Sequence, residues 1–94
     1  MIRILARMTV REDAEAAFMT MGKELVEKSR QEKGNLSYSL NRSLDDPTVF
    51  VFVEVWADQA AQDSHNATEH FTTILPKLVE LTTQCGPVEL YAEI

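Results

Sequence analysis

Apolar and polar residues alternate from Ile2 to Val10, with Ile2, Ile4, Ala6, Met8 and Val10 on one side and Arg3, Leu5, Arg7 and Thr9 on the other. This period of two predicts a first strand. From about Asp13 to Glu32 the period changes. Ala14, Ala17, Phe18, Met21 and Leu25 recur at three- and four-residue steps among charged positions, an amphipathic helix that Gly34 is placed to stop. Leu36, Tyr38 and Leu40 then alternate with Ser37, Ser39 and Asn41 as a second strand, and the turn-rich Ser43-Leu44-Asp45-Asp46-Pro47 leads to a third at Thr48 to Trp56. That third strand is apolar on both sides, Val49, Val51, Val53 and Val55 against Phe50, Phe52, Glu54 and Trp56, so it belongs at the centre of a sheet. Asp58 can cap a short helix reaching Ser64 or His65. Thr68 can cap another that carries Phe71, Ile74, Leu75, Leu78 and Leu81, with a kink or a fresh start expected at Pro76. Gly86-Pro87 should end the helical region, and Val88 to Ala92 reads as the last strand.

The resulting order, strand-helix-strand-strand-helix-strand, predicts an α+β chain of the ferredoxin-like βαββαβ type with an antiparallel sheet and its first and third strands central. Arg3 and Arg7 fit this less well, because they occupy a face that should be covered, and they are expected to meet a wet cavity or a second subunit. Ninety-four residues form one domain. A chain of this size buries only about 60 to 65 per cent of its unfolded surface, so its core benefits from a partner subunit. A formal charge of −6 argues against nucleic acid and anionic membranes as partners. The chain shows no leader pattern and no apolar run of membrane-spanning length, so a soluble cytoplasmic protein is expected. Cys85 is the sole cysteine and reads as a structural or incidental thiol.

Candidate chemistry is sparse. Glu54 lies on one strand face with Phe52 and Trp56, where an ionised carboxylate is costly unless paired, so it is either functional or neutralised by Arg3 or Arg7 on the adjoining strand. Gly22, Gly34 and Gly86 stand too far apart to build a phosphate loop, and no nucleotide cofactor is expected. His65 and His70 would diverge by about 140° on one continuous helix, which argues against a metal pair. A break near Asn66 to Thr68 would instead bring both histidines to the strand end that carries Trp56. Trp56 and Phe52 fit a core as well as a ligand platform, and Asn41 fits a turn as well as a site.

The stretch Glu32-x-Gly34, Tyr38-x-Leu40, Phe52-Val53-Glu54-Val55-Trp56, Ala60-Ala61, His65 and His70-Phe71 resembles, in order and spacing, the antibiotic biosynthesis monooxygenase (ABM) domain family over nearly the whole chain. The resemblance implies a homodimeric α+β barrel joined through its sheets, with a pocket in each subunit. It also implies oxidation of a quinol, an anthrone or a similar electron-rich aromatic by O₂ without metal or flavin. On that reading His65 is the general base and Glu54 orients it or acts as a second base. Trp56, Phe52, Tyr38 and Phe71 stack on a planar substrate, and Asn41 or His70 hydrogen-bonds one of its oxygens. The chain is also similar to the isomerase of phosphorylated autoinducer-2, whose phosphosugar would need Arg3, Arg7 or Arg42. A haem-degrading relative is disfavoured, because Leu5-Ala6-Arg7-Met8 holds no asparagine where that group has one. A non-catalytic domain that binds an aromatic metabolite is the remaining alternative.

Overall fold

A computed structural model describes all of residues 1–94. Strand β1 (Ile2–Val10) leads through a 3₁₀ turn (Glu12–Ala14) into α1 (Glu15–Arg30), and β2 (Asn35–Arg42) and β3 (Val49–Trp56) follow as an antiparallel hairpin. Helices α2 (Gln59–Asn66) and α3 (Glu69–Glu80) precede two short strands, β4 (Thr82–Cys85) and β5 (Glu89–Ala92). The sheet order is β2-β3-β1-β4, with β5 also on β1. The first and third strands are therefore central, and the α+β ferredoxin-like arrangement expected from the periodicities is the one observed.

Parity organises the layers. Ile4, Met8, Phe50, Phe52 and Trp56 are buried beneath the helices, where Phe18 of α1 packs 5.0 Å from Phe50 and 6.3 Å from Phe52. Leu25, Ile74 and Leu78 complete this single core, each contributing about 1.5 to 3 kcal/mol of transfer free energy. Register then assigns the opposite face. Arg3 pairs with Val55, Leu5 with Val53 and Arg7 with Val51, while Ser37, Ser39 and Asn41 continue the same rows on β2. No helix covers this outer face.

Four expectations are corrected. Residues 82–85 form a strand rather than a helix end, because Thr82-Thr83-Gln84-Cys85 pairs with Met8, Thr9 and Val10. The edge is then interrupted at Gly86-Pro87-Val88, and β5 resumes against Ile2 to Leu5. Pro76 neither breaks nor restarts α3. The carbonyl it leaves unpaired belongs to exposed Thr72, where water can satisfy it. Leu36 is 59 % exposed instead of sharing the inner face of Tyr38, since a bulge between Asn35 and Ser37 removes it from the alternation. Finally, Gly34 has no positive φ. It is needed because a Cβ there would collide with Ala61, so the turn after α1 lies directly on α2.

Candidate active site

Glu54 is the carboxylate that β3 carries into the core, 7 % exposed and directly across from Tyr38. Two residues along the same face, Trp56 donates its indole Nε1–H to Glu54 Oε1 at 3.0 Å. Burial pushes the Glu54 carboxyl above the usual carboxylate range, and the Trp56 hydrogen bond opposes that shift. Burial, reinforced by the Glu54 charge, also raises the Tyr38 hydroxyl, which stays protonated. Arg3 and Arg7 do not neutralise Glu54. The register places Ile4 opposite Glu54 and turns both arginines to the outer face, where Arg3 approaches Glu93 at 3.8 Å.

Glu54 forms part of a cavity of about 490 Å³ between the sheet and the helices. Its floor is Ile4, Ala6, Met8, Tyr38 and Phe52, and α3 supplies Phe71, Leu75 and Val79. Gln62 and Asn66, one turn apart on α2, add two amides. The interrupted edge between β4 and β5 forms the mouth through Cys85, Gly86, Val88 and Leu90, of which Cys85, Val88 and Leu90 are exposed. This is mostly apolar space with convergent polar groups, the usual composition of a small-molecule site.

Behind the cavity lies His65, only 1 % exposed. Its ring lies 4.5 Å from Trp56 at 34° and meets Phe71 edge-on at 4.8 Å. Nδ1 is 2.7 Å from Glu32 Oε2. Nε2 has no hydrogen-bond partner and stands 3.9 Å from Glu54 Oε1. Burial pulls the imidazole below the ordinary histidine range, with the Glu32 hydrogen bond opposing, so His65 is neutral at neutral pH. Glu32 follows α1, and the same Oε2 also receives His70 Nε2 at 2.7 Å. The two histidines meet because the helix breaks where it was expected to. Thr68 caps α3 by accepting from Phe71 N at 3.2 Å and donates to the His65 carbonyl at 2.8 Å, and Asp58 caps α2 by accepting from Ala61 N at 2.8 Å.

Spacing alone argued against a metal pair, yet Glu32, His65 and His70 bring one carboxylate oxygen and two imidazole nitrogens within 4.8 Å of one another. His65 Nδ1 and His70 Nε2 both lie 2.7 Å from the one oxygen, Glu32 Oε2, a hydrogen-bond distance. Ligands about 2.0 to 2.1 Å from a tetrahedral zinc stand about 3.4 Å apart, a wider spacing than these two contacts.

The structure thus gathers Glu54, Tyr38, Phe52 and Phe71 around the cavity, with His65 and Trp56 immediately behind it. Trp56 is fully buried and lies against His65, not against open space, so a substrate cannot stack on it. His70 is turned to Glu32 rather than to the cavity. Asn41 lies on the outer face, where its Nδ2 donates to Ser39 Oγ at 3.0 Å, and Arg7 borders the cavity from an outer-row position of β1. Glu32, Gln62 and Asn66 were not singled out from the residues. The i, i+4 spacing of the two amides was a readable signal, whereas a glutamate at a helix end looks like any solvated one.

A ferredoxin-like α+β domain whose helices enclose an apolar cavity over a buried carboxylate and imidazole defines a class of small-molecule proteins, and comparison narrows it. The sequence profile described as "Antibiotic biosynthesis monooxygenase" matches residues 1–77, and the chain belongs to that family. It is 36 % identical over 81 residues to "Putative monooxygenase YcnE" of Bacillus subtilis strain 168, covering 86 % of this chain and 85 % of that protein. Among solved structures, an antibiotic biosynthesis monooxygenase superposes with a TM-score of 0.94 at 39 % identity, covering 100 % of this chain and 99 % of that one. A conserved protein from Methanosarcina mazei Go1 gives 0.95 at 28 %, covering 99 % and 92 %. The family and these names support a general monooxygenase-like function. No helix is long and apolar enough to cross a membrane.

Proposed function

We propose that this protein oxidises a quinol, an anthrone or a related planar phenol with O₂ and needs neither metal nor flavin. The observation that carries this reading is the single inward carboxyl, Glu54, on the floor of an otherwise largely apolar cavity. Direct reaction of an organic molecule with O₂ requires an electron-rich anion. A base that removes a proton from a hydroxyl or an acidic C–H, in a site that withholds water from the anion, supplies that requirement. The overall change balances without a reductant: a hydroquinone and O₂ give a hydroxyquinone and water, or an anthrone methylene and O₂ give a carbonyl and water. A phosphosugar fits less well, since the one cationic residue that lines the cavity, Arg7, sits at an outer-face position of β1. An oxygen electrode with a panel of hydroquinones and anthrones is expected to register uptake that survives exhaustive chelation. Panel members that bind without any uptake would reduce the protein to a binding domain.

The uncovered outer face belongs to the same proposal. Val49, Val51 and Val53 are half-buried and Val55 buried on a sheet with no second layer, and a second copy would supply that layer. Light scattering at micromolar concentration should give twice the 10.6 kDa chain mass, and a persistent monomer would remove the dimeric barrel.

A further inference from the structure

We infer that Glu32 and His70, neither of which lines the cavity, are positioning residues that lock His65 into the tautomer protonated on Nδ1, and so hold a bare Nε2 behind Glu54 as the second acceptor of a proton drawn from the cavity. The inference rests on the proposed base chemistry, but its first test needs no substrate.

The hydrogen bonds fix the assignment. An ionised carboxylate only accepts, so the two nitrogens 2.7 Å from Glu32 Oε2, His65 Nδ1 and His70 Nε2, must both carry protons. Neutral His65 then has its lone pair on Nε2. The other tautomer would set a bare Nδ1 against a carboxylate oxygen at 2.7 Å, two acceptors facing each other with no proton between them. His70 adds a second donor that holds Glu32 in place, so the pair acts on His65 from the side away from substrate. The role matches that of the buried carboxylate in a hydrolase triad, which sets a tautomer and stabilises the imidazolium without taking a proton.

The proton path follows. The substrate O–H or C–H bond breaks and Glu54 gains the proton. The Glu54 side chain then closes a gap of about 1 Å to hydrogen-bonding distance and passes that proton to His65 Nε2. His65 ends as an imidazolium against the Glu32 carboxylate, Glu54 is again ionised, and no electron has moved. The other titratable and charged groups nearby are Tyr38 of β2 beside Glu54, Glu24 and Lys28 of α1 and Glu69 of α3 around His70, and Lys33 and Asp58 on the outer side of Glu32.

Long-range ¹H–¹⁵N spectra of the imidazoles test this on the whole chain. Wild type should show His65 protonated on Nδ1 with a pyridine-like Nε2, and a wild-type Nε2–H form overturns the inference outright. Glu32→Gln should move His65 to the Nε2–H form or to a mixture. His70→Leu should shift part of the population the same way, while His70→Gln, which keeps an N–H donor, should not. A merely structural Glu32 would lower the thermal midpoint of Glu32→Gln and leave the tautomer in place, which also overturns the proposal. With a turned-over quinol or anthrone, Glu32→Gln should lower kcat at least tenfold with KM within twofold. Its acid limb should move to lower pH, because the charge favouring the imidazolium has gone. If wild type consumes no oxygen, the proposed reaction fails, and the nitrogen spectra still decide the clamp.

Discussion

Glu54→Gln should abolish most turnover and yet raise the thermal midpoint. Glutamine keeps an oxygen for the Trp56 indole and can direct its amide N–H to the bare His65 Nε2, but it cannot accept a proton, so the rate should fall by about 10² to 10⁴-fold. The stability change has the opposite sign. Burial raises the Glu54 carboxyl above its ordinary value of 4.5, so between that value and the folded one the native state binds more protons than the unfolded chain. Stability is therefore lost as pH rises through this window, and a neutral glutamine escapes the loss. The variant's advantage should grow from pH 4.5 upward. Thermal melts and oxygen uptake on one preparation check both effects, and a retained rate would take Glu54 out of the chemistry.

His65→Ala should cost both activity and stability. The ring is enclosed by Trp56, Phe71 and Tyr38, so its removal leaves an internal void worth about 2 to 5 kcal/mol, along with an unpaired Glu32. Turnover should fall by about 10² to 10⁴-fold. In wild type the acid limb belongs to the Glu54–His65 pair as a unit, burial raising the Glu54 carboxyl above its ordinary value and pulling the His65 imidazole below the ordinary histidine range. The sign follows from the neutral imidazole and the ionised carboxylate being the acceptors: rate rises with pH and then levels off. Stability carries the same mark. Unfolding lets His65 protonate at its ordinary value, so the native state weakens as pH falls from 6.5. A His65 ring whose own nitrogen signals titrate at or above 6.5 would show that it is not the buried, neutral group described.

Much of the fold was legible because each main element follows one local rule. Alternation marked β1 and β3, the 3.6-residue stripe marked α1, and Asp58 and Thr68 announced the helix starts they make. Strand β4 was hidden because its four residues are short, polar and strand-like only through pairing with β1 more than 70 positions away. The Leu36 bulge was hidden for a similar reason, since register is a property of two strands. In the site, Glu54 was visible as a lone carboxylate on an aromatic face. Asn41 could have been set aside from parity alone, because it alternates with Tyr38 and so must face away from it. Glu32 could not be found this way. It lies 33 and 38 positions from the histidines it joins, and nothing local distinguishes it from Glu24 or Glu27.

The interrupted edge at Gly86-Pro87-Val88 also separates two kinds of heritable change. Glu54 sits on a central strand laddered on both sides, so its backbone has little freedom to drift. Leu75, Val79, Val88 and Leu90 come from a helix face and from an edge with fewer ladder bonds, and altering their bulk reshapes the entrance without touching the proton-handling floor. Such a scaffold can diversify what it admits by point substitution while its chemistry stays put, and a library confined to those four positions is where altered substrate range should first emerge.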